Sequence, residues 1–143
     1  MPAATLLDGR ALAARTREEL KAEIAEFGDV RLATVLVGDD PASQIYIRLK
    51  HKAAEEVGIQ AVDKRLPQDT SEEEVLATIA AANADGAIDG LLVQLPLPGH
   101  LDENRIIEAI APEKDIDGIH PVNAGRLYLG RPTLVPGTPL GVM

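Results

Sequence analysis

The sequence predicts an α/β domain: a mostly parallel sheet with helices on both faces, a three-layer α/β/α arrangement in a single domain. Short apolar runs of strand length alternate with stretches of helical periodicity. Two of the three strand-like runs are apolar at nearly every position, as in strands buried on both faces. Three β-then-α units in succession join parallel strands by right-handed crossovers.

The elements follow in order. After Asp8-Gly9, a helix carries Leu12, Thr16, Leu20, Ile24 and Phe27 at helical spacing and stops at Gly28. Arg31 to Val37 is the first strand, ending in Gly38-Asp39-Asp40-Pro41, a turn that opens a helix with Pro in its first turn. That helix runs from about Ala42 to Val57, with Ile45, Leu49 and Ala53 as its core stripe and Gly58 as its stop. Ile59 to Leu66 is a second, more polar strand, suited to a sheet edge. Asp69 to Glu74 holds capping residues and first-turn acids for a helix continued by Val75, Ile79 and Ala82. Gly90 to Leu95 is a third, fully apolar strand except for Gln94. Asp102 caps a short helix containing Ile106, Ile107 and Ile110, which Pro112 ends. From Glu113 onward the Gly- and Pro-rich chain reads as ordered loops. The final Pro139-Leu140-Gly141 resembles the opening of another element, so the chain is expected to be a piece of a longer protein.

Composition narrows the function. The 143 residues carry a net charge of −9, which argues against a nucleic-acid or anionic-membrane surface. The absence of Cys excludes disulfides, thiolate catalysis and Cys-based zinc sites. Aromatics amount to Phe27, Tyr46 and Tyr128, too few for a base-stacking platform. No apolar run approaches the ~20 residues that span a bilayer, and Met1 to Asp8 lacks the basic start and apolar core of a signal peptide. A soluble cytoplasmic domain is the expectation. No two glycines lie two residues apart, so the dinucleotide fingerprint G-x-G-x-x-G cannot be written anywhere in the chain. His51, His100 and His120 have no metal-ligand spacing and read as surface or structural residues.

In open parallel sheets, ligands bind at the carboxyl ends of the strands. Several polar residues should gather there: the loop after Val37, Gln94 after the third strand and the segment after Pro112. Tyr46 and Lys50, at i and i+4, share a helix face where a ring can stack on a planar ligand and an amine can move a proton. The same spacing also suits a packing Tyr beside a surface Lys. Gln94 leaves the third strand between Val93 and Leu95 and can both donate and accept, either to orient a Lys or water or to cap a turn. Asp115 and Asp117, in Pro112 to Gly118, can hydrogen-bond a ligand's N–H groups, act as acid and base, bind a divalent cation (though without the ligand count and spacing of a calcium loop), or form a solvated acidic turn. A Tyr-Lys pair at this spacing is also found in short-chain dehydrogenases, which need the missing glycine motif.

Taken together, Gly38 to Tyr46, Lys50 to Ile59, Val93-Gln94-Leu95-Pro96-Leu97-Pro98, Pro112 to Gly118, Asn123 to Leu127 and Pro136 to Pro139 resemble the methylenetetrahydrofolate dehydrogenase/methenyltetrahydrofolate cyclohydrolase family, block by block and in its order. The resemblance implies oxidation of 5,10-methylenetetrahydrofolate by hydride transfer to NADP, followed by hydrolysis of the methenyl bridge to 10-formyltetrahydrofolate. It implies Lys50 as the catalytic lysine, Gln94 as the group that positions it, Tyr46 stacked on the p-aminobenzoyl ring, and Asp117 on the pterin N–H groups. Val93, Leu95, Pro136, Gly137 and Gly141 would line the folate cleft, with Cys usual in the family where Gly137 stands. The chain would be the folate-binding catalytic domain, residues 1–143. The family's NADP-binding Rossmann domain, through which its members usually dimerise, would lie beyond it. The implied partner is a small-molecule folate, with neither nucleic acid nor membrane, and the expected state of this chain is a monomer. A non-catalytic folate-binding or regulatory module on the same scaffold is the alternative.

Overall fold

A computed structural model describes residues 8–142; Met1 to Leu7, and with them most of the N-terminal segment read above, lie outside the described residues. The chain runs α1 (Gly9–Phe27), β1 (Arg31–Val37), α2 (Pro41–Glu56), β2 (Gln60–Leu66), α3 (Glu72–Ala84), β3 (Gly90–Val93), α4 (Glu103–Glu108), α5 (Pro121–Tyr128) and α6 (Gly137–Val142). The three strands are parallel in the order β2-β1-β3. Arg31 to Val37 pair with Gln60 to Leu66 on one side, and Leu32 to Val35 with Gly90 to Val93 on the other. The chain therefore reverses its direction of travel across the sheet after β2, which opens a crevice at the carboxyl ends of the strands.

Side chains alternate between the two faces of β1. Ala33, Val35 and Val37 join Leu91 and Val93 under Val75, Ile79 and Ala82 of α3 and Ile106 of α4, with Ile88, Leu101 and Ile110 closing the cluster. On the opposite face Thr34 reaches α2, where its hydroxyl meets the His51 ring at 2.8 Å. With α2 and α3 on opposite faces, the predicted three-layer α/β fold is present. The polar strand β2 lies at the edge, as its composition predicted.

Local chemistry accounts for the helix starts. Asp40 caps α2 by accepting the Ser43 N–H at 2.7 Å, and Pro41 occupies the first turn, where a missing N–H costs nothing. Ser71 and Glu74 form a reciprocal capping box on α3, whose first turn carries Glu72, Glu73 and Glu74 against the helix dipole.

Two expectations are corrected, and one helical stripe lies outside the core. The core stripe of α2 is Ser43, Ile47 and Ala54; Ile45 and Leu49 are exposed. Both sets satisfy helical spacing, and polar anchoring decides between them: the Thr34–His51 bond fixes the rotation of the helix. On α1, the Leu12–Phe27 stripe covers no core. None of its residues is buried and Phe27 is 78% exposed; the helix packs on α2. Finally, the stretch after Glu113 contains α5 and α6 instead of loops alone. His120 Nδ1 caps α5 by accepting the Val122 N–H, and Pro121 takes its first position, so the proline here starts a helix.

Candidate active site

The crevice at the end of β3 holds a cavity of about 370 Å³ lined by Lys50, Val93, Gln94, Leu95, Asp117, Ile119, Pro136 and Gly137. Each wall has a local cause. β3 ends at Val93, two residues short of the predicted Leu95, so Gln94 and Leu95 leave the ladder at its carboxyl end. The Gln94 N–H is still held by the Val35 carbonyl at 2.8 Å. Its side-chain amide donates to the Leu95 carbonyl at 2.7 Å, which turns Oε1 toward the cavity. Lys50 Nζ, on the cavity flank of α2, donates to that Oε1 at 3.5 Å.

Asp117 enters from the loop between α4 and α5. This loop is docked on β3: the Leu91 N–H donates to the Lys114 carbonyl at 2.7 Å, and Leu91 bridges Asp115. Gly118 then turns the chain at φ +67°, a left-handed conformation that favours glycine, with Pro136 packed where a side chain would begin. Burial pushes the Asp117 carboxyl above its ordinary value; the Lys50 ammonium opposes this and the neighbouring Asp115 carboxylate adds to it.

The structure thus brings together seven of the predicted residues: Lys50, Gln94, Asp117, Val93, Leu95, Pro136 and Gly137. Two stand apart from the cavity wall. Tyr46 lies one turn before Lys50 on α2 and is 60% exposed; Gly141 is exposed on α6. The side chains of residues 138 and 139 lie outside the described residues. The Gly38–Asp40 turn, expected to gather here as well, lines no part of the cavity and serves to cap α2. Ile119 does line it, and no spacing or motif marks that residue in the sequence.

The two loop carboxylates have different fates: Asp117 faces the cavity, whereas Asp115 is buried and hydrogen-bonded internally. The histidines are structural, His51 bonded to Thr34, His100 to the Thr70 carbonyl, and His120 to α5 and the Glu108 carbonyl. Among the described residues no group of three or more His, Cys, Asp or Glu could hold a metal ion, and no helix is long and apolar enough to cross a membrane. What the cavity offers is one amine, one amide and one half-buried carboxyl around an apolar floor. That set can grip a planar, hydrogen-bonding ligand and move a proton beside it.

Comparison with known proteins identifies the family. Residues 7–117 match the family model described as the tetrahydrofolate dehydrogenase/cyclohydrolase catalytic domain. A bifunctional protein FolD of Methanoculleus marisnigri is 54% identical over 139 residues, covering 96% of this chain and 49% of that protein. The crystal structure of the bifunctional FolD dehydrogenase/cyclohydrolase from Campylobacter jejuni superposes with a TM-score of 0.95 at 46% identity, covering 99% of this chain and 52% of the other. That of Trypanosoma brucei FolD, complexed with NADP cofactor and inhibitor, gives 0.93 at 37% identity and covers 100% of this chain and 51% of its own. The chain spans about half the length of the relatives it matches. It belongs to the tetrahydrofolate dehydrogenase/cyclohydrolase family and carries that family's catalytic domain.

Proposed function

We propose that this chain is the folate-binding domain of a cytoplasmic one-carbon enzyme and that its own residues carry the hydrolysis of 5,10-methenyltetrahydrofolate to 10-formyltetrahydrofolate. Support comes from one observation above all: the Lys50 amine, the Gln94 amide and the Asp117 carboxyl converge on a single cavity, with Nζ 3.5 Å from Oε1. In this reaction water adds to the cationic bridge carbon. Loss of one proton from the added water leaves a neutral hydroxyl adduct; breaking the bond from that carbon to N5, as the hydroxyl proton leaves and N5 gains a proton, leaves the formyl group on N10, with one proton released overall. Lys50 is placed to take and return the proton, and Gln94 Oε1 holds the amine in line. Asp117 accepts from the pterin N–H groups, a role suited to a carboxylate that can meet two donors. Tyr46 stacks on the p-aminobenzoyl ring that leaves the cavity along α2, and Val93, Leu95, Pro136 and Gly137 form the walls.

Oxidation of the methylene form needs a hydride acceptor. NADP is the acceptor implied by the family and is present in the Trypanosoma brucei relative. The glycines of this chain do not fit a dinucleotide cradle, since none are spaced as G-x-G. Hydride transfer is therefore assigned to the two-domain protein and hydrolysis to the residues described here, with this chain alone a monomer.

The test is cofactor-free hydrolysis of methenyltetrahydrofolate, followed by its absorbance, with the chain and with Lys50→Met. Loss of roughly 10²–10⁴-fold in the variant, with folate still bound, is the expected result. Unchanged hydrolysis removes Lys50 from the chemistry. Binding without hydrolysis by the unmodified chain would instead favour a non-catalytic folate module.

A further inference from the structure

Besides its docking on β3, the loop that carries Asp117 is tied down by a buried carboxylate. Asp115 is 1% exposed, and its Oδ2 accepts two bonds, from the His120 N–H at 2.9 Å and from Asn123 Nδ2 at 2.9 Å. Asn123 is itself fully buried; it also donates to the Pro112 carbonyl at 2.7 Å and accepts from Thr133 Oγ1 at 3.2 Å. One network thus joins Pro112, Asp115 and His120, so the loop is closed at both ends with Asp117 between them. The Gly118 N–H, donating to the Asp115 carbonyl at 3.3 Å, completes the turn.

The anchor is stronger than geometry alone requires. Both donors meet one oxygen, and the amide oxygen of an asparagine could accept the same two bonds. What an amide would lack is charge, and no Lys or Arg pairs with Asp115 among the described residues. The ionisable groups that face Asp117 are Lys50 from α2 and Asp115 from its own loop; β3 and the start of α6 contribute only Val93, Gln94, Leu95 and Gly137.

We propose that Asp115 is a positioning residue for the folate site, fixing the Asp117 loop and keeping a second negative charge beside it, so that pterin capture depends on pH. The inference rests on Asp117 meeting the pterin. Burial chiefly favours the protonated form of Asp117, the Lys50 ammonium opposes it and Asp115 adds to it, while the form that accepts two pterin N–H bonds is the ionised one. Binding therefore weakens on the acid side earlier than an ordinary carboxylate would dictate.

Titration of the chain with tetrahydrofolate between pH 4 and 8 under argon tests this. Asp115→Asn should keep neutral-pH affinity within about threefold, the size of a small perturbation in binding free energy, and move the acid limb to lower pH. Asn123→Ser, which loosens the anchor and keeps the charge, should weaken binding at every pH and leave the limb in place. An unmoved limb in Asp115→Asn, or unchanged affinity in Asn123→Ser, overturns the proposal. The underlying assignment has its own control: Asp117→Asn should abolish the acid limb, and a limb that persists there removes Asp117 from the site whatever Asp115 does.

Discussion

At the scale of single residues, the cavity is a case of one carboxyl made unlike another by its surroundings. Asp117 sits half-buried beside Lys50 and Asp115 and is held above its ordinary proton affinity. A group whose folded pKa is raised stabilises the fold below its unfolded pKa and loses that contribution as pH rises through the folded value. Asp117→Asn should therefore melt higher than the unmodified chain at pH 7, with the difference closing as pH falls through the raised folded value and gone below about 4, the ordinary carboxylate value. Thermal melts at several pH values check the sign. Asp40 runs the other way: its bonds from Ser43 hold the carboxyl below the usual range, so its contribution is present above the unfolded pKa and fades as pH falls through the folded one. Lys50 and Gln94 were legible as candidates because both lie where a strand or helix meets the crevice. Spacing alone could not tell Asp115 from Asp117, since two acids at i and i+2 in a loop show nothing of which one the fold will bury; only the family resemblance singled out Asp117.

At the scale of elements, α2 divides its circumference among several tasks. Ser43, Ile47 and Ala54 pack, and Lys50 faces the cavity. His51 sits on the other flank of the buried stripe, with Gln44, Arg48, Lys52 and Glu55. The Thr34–His51 bond is the hinge of this arrangement, and Thr34 Oγ1 also approaches Asp63 on β2 at 3.4 Å. Thr34→Val leaves His51 without that partner and should cost about 1–3 kcal/mol in denaturant unfolding, along with a loss of folate affinity as Lys50 shifts. The starts of α2 and α3 were readable because Asp, Ser and Pro announce helix openings in the sequence itself. The rotation of α2 was not, because two apolar stripes fit the same period and a buried polar contact chose between them. At α3, Ser71→Ala breaks one half of the capping box and should cost about 1 kcal/mol, read as a lower denaturant midpoint with an unchanged slope.

Across the whole molecule, the parallel sheet and its two helical layers followed from the alternation of apolar runs with helical stretches, and the edge position of β2 from its polarity. The terminal stretch was misread because Pro and Gly punctuate loops and also open helices; Pro121 after His120 is the second case. The core is built almost without aromatics, so single aliphatic positions carry much of the stability. Ile79, fully buried between α3 and the sheet, is such a position. Ile79→Ala should destabilise the chain by about 2–5 kcal/mol, measured by the same denaturant titration, while leaving the pH profile of folate binding unmoved.

The first helix has a dynamic consequence. None of its residues is fully buried, and it packs on α2. Most helical stability in proteins comes from tertiary packing, of which α1 has little, so separating it from the domain exposes little apolar surface and demands no global unfolding. Its backbone amides should exchange with deuterated solvent well ahead of those in β1 and α3, and any surface that settles over Leu12, Leu20 and Phe27 would be registered first as slower exchange along this one segment.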